Sequence, residues 1–330
     1  MRHRCFSIMC AVAAALCLAP LSAVGQDAVA IPRLADGKPD LQGVWDFRTI
    51  TPLERPRQLG DKQTLTAEEA AQQEAAAVQA GAPQLPGVGS YNGFWWDFGS
   101  NVVEDRRTAL IVDPPDGRMP AVTAGTERQV GNIIFDTPGT RPVRYRSGGI
   151  GKDGPEDRGL AERCLLGFNS GPPMLPSAYN NNMQLFQTPD YVVILNEMVH
   201  DARIIPLDGR PHVPEDIGLW MGNSVGHWEG DTLVIESTNL SEKVASFTPS
   251  PSSALGTGKT GRLTERISRL SEGTLLYEFT VDNPAILTES VTAVLPMRKL
   301  DVPIFEYACH EGNYGMTNLL SGARAEEAAK

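Results

Sequence analysis

Helical periodicity and cysteine are both scarce in this chain. Apolar spacing at three and four residues is confined to one segment, 66–80, so the sequence reads as all-β. Of the five cysteines, Cys5, Cys10 and Cys17 lie near the N-terminus, leaving Cys164 and Cys309 for the body of the protein. No HExxH or CxxC spacing occurs, so no metal is predicted; the alternative is that two of the scattered His200, His212, His227 and His310 converge with a carboxylate such as Glu197, Asp201 or Glu311 on zinc or iron. No basic patch is visible, which argues against nucleic acid and anionic membrane surfaces as partners. No second long apolar run follows the first, which argues against a membrane span. No repeat of 20–50 residues is evident.

The one long apolar run lies between Cys5 and Leu21, behind a basic start at Arg2, His3 and Arg4. Ala23 and Gly25 are small residues at the −3 and −1 positions of a cleavage site before Gln26. Residues 1–25 therefore read as a signal peptide, and the protein as periplasmic or secreted. Leu16 precedes Cys17 where a lipoprotein signal wants a small residue. Cleavage would remove two of 29 basic residues and none of 40 acidic ones, taking the formal charge from −11 to −13. In an oxidising compartment the pair Cys164 and Cys309 most simply forms one disulfide, stabilising by about 3–5 kcal/mol.

Residues 26–330 read as a single β-barrel domain. Its first part, 26–162, holds N-terminal strands, one helix and long loops. Leu41–Thr49 is a predicted strand. Thr66 and Glu69 form a capping box that opens a helix to about Ala80, whose weak apolar face places it on the surface. A Gly/Pro linker, 81–90, leads to the aromatic run Tyr91–Phe98. Thr108–Asp113 and Arg118–Val122 read as strands around a Pro-Pro-Asp-Gly turn, and 136–162 as a long loop.

The main antiparallel meander is predicted over 163–322. Its strands are Asn182–Gln187, Tyr191–Met198, Asp201–Leu207, a hairpin His227–Ser237 around Glu229-Gly230, Leu263–Arg269, Leu275–Val281, Glu289–Met297 and Phe305–His310. Alternation is cleanest at Leu263–Ile267 and Leu275–Val281, the pattern of a sheet with one buried face. A frayed helical tail, 323–330, follows. Such a meander is expected to close into a barrel, which often encloses a ligand cavity.

Several phrases, PDLQGVWDFRTITPLERP, RTALIVDPPDGRMP, ILNEMVHDARIIPLDGRPH, GHWEGDTLVIEST and YACHEGNYGM, resemble a large family of uncharacterised exported bacterial proteins. Gly43-Val-Trp45 followed by an antiparallel meander is also similar to the calycin superfamily, which includes lipocalins. That similarity implies a barrel that binds small apolar molecules, with a few relatives acting as cofactor-free enzymes.

The polar cluster that packing does not require is the candidate site. Glu197, Asp201 and Arg203 share a face if their strand runs straight, with His200 opposite; a turn near Val199–His200 changes that. Tyr307, His310 and Glu311 are expected on the last strand, and Asn180 and Asn182 add amide groups. Trp95 and Trp96 are candidates for the cavity mouth. One reading is a cofactor-free lyase, hydratase or isomerase acting on a small, partly apolar molecule. Glu197 or His200 would be its base, His310 its acid and Arg203 its electrostatic stabiliser. The alternative is a non-catalytic binding protein in which these groups orient a ligand. A lesser reading takes Ser224, within Gly222-Asn-Ser-Val-Gly226, as a hydrolase nucleophile, but a hairpin rather than a helix follows it. The run Gly256–Gly261 imitates nucleotide-binding loops, but a strand follows it where they need a helix.

Overall fold

The computed structural model describes residues 31–80, 97–126, 152–167, 169–241 and 260–330. Residues 1–25, read above as a signal peptide, Trp95, Trp96 and most of the run Gly256–Gly261 lie outside the described residues. Among those described, ten strands form one sheet: β1 (Gly43–Asp46), β2 (Ile111–Asp113), β3 (Asn182–Gln187), β4 (Tyr191–Asn196), β5 (Ala202–Pro206), β6 (Asn223–Glu229), β7 (Thr232–Thr238), β8 (Arg262–Arg269), β9 (Thr274–Asp282) and β10 (Val291–Leu300). Every pairing is antiparallel, in the order β5-β4-β3-β1-β10-β9-β8-β7-β6, with β2 also on β10.

Alternation decides which way each strand faces. β8 buries Leu263, Glu265, Ile267 and Arg269, and β9 buries Leu275, Tyr277, Phe279 and Val281. The register sets Ile267 opposite both Leu233 and Tyr277, so these side chains share the concave face. Trp45, Met183, Ile194 and Ile205 complete the same core from the other half of the sheet. The indole of Trp45 donates to Leu41 O at 3.0 Å, which satisfies its one polar atom in that apolar setting.

The all-β expectation is met, but the hydrogen-bond ladder does not close into a barrel. β5 and β6 are the two ends of the ladder. They approach through side chains: a Cβ on Gly226 would lie 2.9 Å from Leu207 Cδ2 and 3.0 Å from Ile205 Cγ2. The concave interior is filled by the core side chains, and Met174 and Leu175, from the segment before β3, join them.

Helix α1 (Ala67–Ala80) starts at the predicted capping box: Thr66 N donates to Glu69 Oε2 at 2.8 Å, and Glu69 N to Thr66 Oγ1 at 3.2 Å. Its alanine-rich sequence gives good propensity but little to bury, and Ala70 is its one buried residue.

Three expectations are corrected. Residues Phe305–His310 are not a strand; the ladder bonds of β1 and β10 already face each other and their neighbours, and the C-terminal segment runs past as irregular chain. Arg118–Val122 forms only an isolated bridge, Val122 to Leu287. The C-terminal helix α2 (Tyr314–Ala328) is longer than a tail from 323, because Asn313 caps it by accepting from Met316 N.

Candidate functional site

Arg203 points into the concave face and meets Glu265 rather than Glu197. Nη1 and Nη2 donate to Glu265 Oε2 and Oε1 at 2.6 and 2.8 Å, a bidentate pair with both side chains buried. Tyr277 Oη donates to Glu265 Oε1 at 2.7 Å and accepts from Met174 N at 3.1 Å. Burial alone would lower the Arg203 pKa, but the Glu265 carboxylate outweighs it and the net shift is upward. Burial, then the Glu265 charge, raises the Tyr277 phenol well above its ordinary value. The network therefore holds Arg203 charged and Tyr277 neutral. Sequence reasoning missed Glu265 and Tyr277, although both fill inward slots of alternating strands, where a charge or hydroxyl demands a buried partner.

Glu197 lies in the turn between β4 and β5. That turn forms because Val199 (φ 60°, ψ 17°) and His200 (φ 46°) are both left-handed. The strand therefore does not run straight from Glu197 to Arg203. Glu197 is buried; Oε2 accepts from Asn182 Nδ2 at 2.7 Å and Oε1 from Phe305 N at 3.0 Å. Asp201 Oδ2 accepts from Gly167 N and Ser170 Oγ, each at 2.7 Å. His200 is exposed. Asn180 is left-handed, with its carbonyl accepting from Asn169 Nδ2 at 3.1 Å.

Tyr307 stacks on Tyr179 at 6.4 Å beside the disulfide Cys164–Cys309, which is formed as predicted. His310 and Glu311 follow on the surface. The structure thus joins Glu197 to Asn182 and leaves Arg203, His200 and His310 apart from that pair. Ser224 lies within strand β6 and pairs with Ser237 Oγ at 2.7 Å. Among the described residues, no group of three or more His, Cys, Asp or Glu is placed to hold a metal.

A cleft of 1260 Å³ opens elsewhere, between α1, the segment 97–106 and the outer side of β1 and β10. One helical face of α1 lines it, at 67, 70, 71, 74, 77 and 78, all alanine or valine except Glu74. Because that face is weakly apolar, it stands off the sheet instead of packing on it. Val78 and Phe98, 69% and 40% exposed, line the opening with apolar surface.

The floor of the cleft is ionic. Asp46 Oδ1 accepts from Arg48 N and Nε at 2.9 and 2.8 Å; Oδ2 accepts from Arg48 Nη2 and Arg298 Nη2 at 2.8 and 2.9 Å. Arg48 also bonds Asp97. Hydrogen bonding to Asp46 raises the Arg48 pKa against the opposing effect of burial, with Asp97 adding to it. Asp46 is the cross-strand partner of Asn182, so this floor adjoins the Glu197–Asn182 pair on the next strand. The cleft residues were not legible as a site, because Asp46 and Arg298 lie far apart in sequence and meet only through the β1–β10 register. Comparison with protein-family models gave no match, and comparison with curated proteins gave none either.

Proposed function

We propose that this is an exported protein that binds a small, partly apolar molecule in the cleft beneath α1. The observation that carries this reading is the pairing of an open apolar helix face with an ordered ionic floor in a single cleft. Ligand sites combine apolar walls with a few fixed polar groups that set orientation. The disulfide suits an oxidising compartment. Binding is favoured over proton-transfer catalysis because both carboxylate oxygens of Glu197 and both terminal nitrogens of Arg203, the groups best suited to that chemistry, already hold hydrogen bonds. The calycin resemblance enters only as architecture, a curled meander with its last seam unzipped.

The test is native mass spectrometry on protein recovered from a periplasm, beside a denatured run and an Ala71→Trp variant. Ala71 is exposed on the cleft face, so the indole fills the site without entering the core. Extra mass in the native spectrum that Ala71→Trp abolishes supports the reading. Retention of that mass by Ala71→Trp rejects the cleft as its site.

A further inference from the structure

The floor of the cleft holds a guanidinium with donors to spare, and a second arginine, Arg106, lines the same cleft from the segment 97–106. Arg298 gives Nη2 to Asp46, and among the described residues its Nε and Nη1 bond nothing. Its side chain is 68% exposed, whereas that of Asp46 is 3% exposed and already accepts four hydrogen bonds. The remaining acids of the cleft are placed differently. Asp97 is engaged by Arg48, and Glu74 Oε1 accepts from Val102 N at 3.1 Å. Glu104 belongs to the segment 97–106 rather than to the floor. The floor therefore offers a cation with unused planar donors, and Asp46 holds that cation in place without saturating it.

Hydrocarbon lines the same cleft: Ala67, Ala71, Ala77 and Val78 present short side chains along one side of α1, with Glu74 among them. A chain of methylenes lying there would be removed from water along its length, while its head group reached Arg298.

We infer that the cleft selects a small amphiphilic anion, with its carboxylate on Arg298 and its hydrocarbon along the alanine face of α1. This rests on the cleft reading above. Asp46 and Arg48 act as positioning residues, holding the Arg298 guanidinium from one edge so that its other edge faces the ligand.

The experiment is titration calorimetry of the full exported protein with three probes, dodecanoate and dodecyltrimethylammonium below their micellar concentrations and dodecanol below its solubility limit. Dodecanoate is expected to bind saturably, about tenfold more tightly than dodecanol, the worth of one charge-assisted hydrogen bond. The cationic probe is expected to bind most weakly. Arg298→Gln should bring dodecanoate down to the affinity of dodecanol and leave dodecanol unchanged. Arg298→Lys should keep part of the preference. Equal binding of dodecanoate and dodecanol, or indifference of dodecanoate to Arg298→Gln, overturns the anion assignment and leaves the cleft reading standing. No binding of any probe overturns both.

Discussion

Arg203 and Glu265, 62 residues apart in the chain, close two parallel hydrogen bonds inside the curled sheet. Arg203 stands on β5, the end of the ladder, and Glu265 on β8, near the opposite end. The pair therefore spans the concave face and ties together two strands that share no backbone bond. Removing one partner leaves the other charge buried and unpaired. Glu265→Ala is expected to lower stability by about 3–5 kcal/mol in urea unfolding. The double variant Arg203→Met, Glu265→Leu should recover most of that loss. A Glu265→Ala loss below about 1 kcal/mol would mean that the pair is not buried in solution.

Tyr277 makes the same network sensitive to alkali. Burial and the Glu265 charge hold its phenol well above its ordinary value of about 10. The unfolded chain releases this proton near pH 10 while the folded chain retains it, so stability falls as pH rises past that value. Tyr277→Phe should remove this part of the decline while costing about 1–3 kcal/mol at neutral pH, because Met174 N loses its acceptor. Urea midpoints of both proteins at about pH 8 and about pH 11 provide the comparison.

The disulfide joins residues 145 apart, and a closure of that length stabilises by about 5 kcal/mol through the unfolded chain. Cys164→Ser with Cys309→Ser should show a loss of that order. Wild type in reductant should match it. Amide exchange over 301–313 should quicken, since that segment then keeps ties such as Phe305 N, the Tyr307 stack and Asn313 Nδ2 but loses its covalent one.

Gly226 sets how closely β5 and β6 approach. A branched side chain there meets Ile205, Leu207 and the Val234 carbonyl, which lies 3.3 Å from an added Cβ. Gly226→Val should cost about 1–3 kcal/mol by overpacking, read by thermal unfolding. A neutral outcome would show that the seam yields without resistance.

Local signals were legible where the physics is local. The Thr66–Glu69 box, the hairpin at Glu229-Gly230 and the alternation of β8 and β9 are each written within a few residues. The cysteine pair was legible by count. What needed register was not. Arg203 finds Glu265 only after five intervening strands curl the sheet, and Asp46 meets Arg298 only when β1 pairs β10. Phe305–His310 alternates like a strand, yet alternation says nothing about whether a neighbouring edge is vacant. A turn near Val199–His200 was legible as an option, but its left-handed backbone was not, because a β-branched residue is an unusual choice there.

The strand order has a temporal consequence. β1, near the start of the chain, has β10, the last strand made, as its direct neighbour in the middle of the sheet. The β1–β5 and β6–β10 halves stay separate until residues 291–300 are available to bridge them. Synthesis therefore runs almost to completion before the long-range pairing that unites the halves can begin, and such pairing is slow in any case.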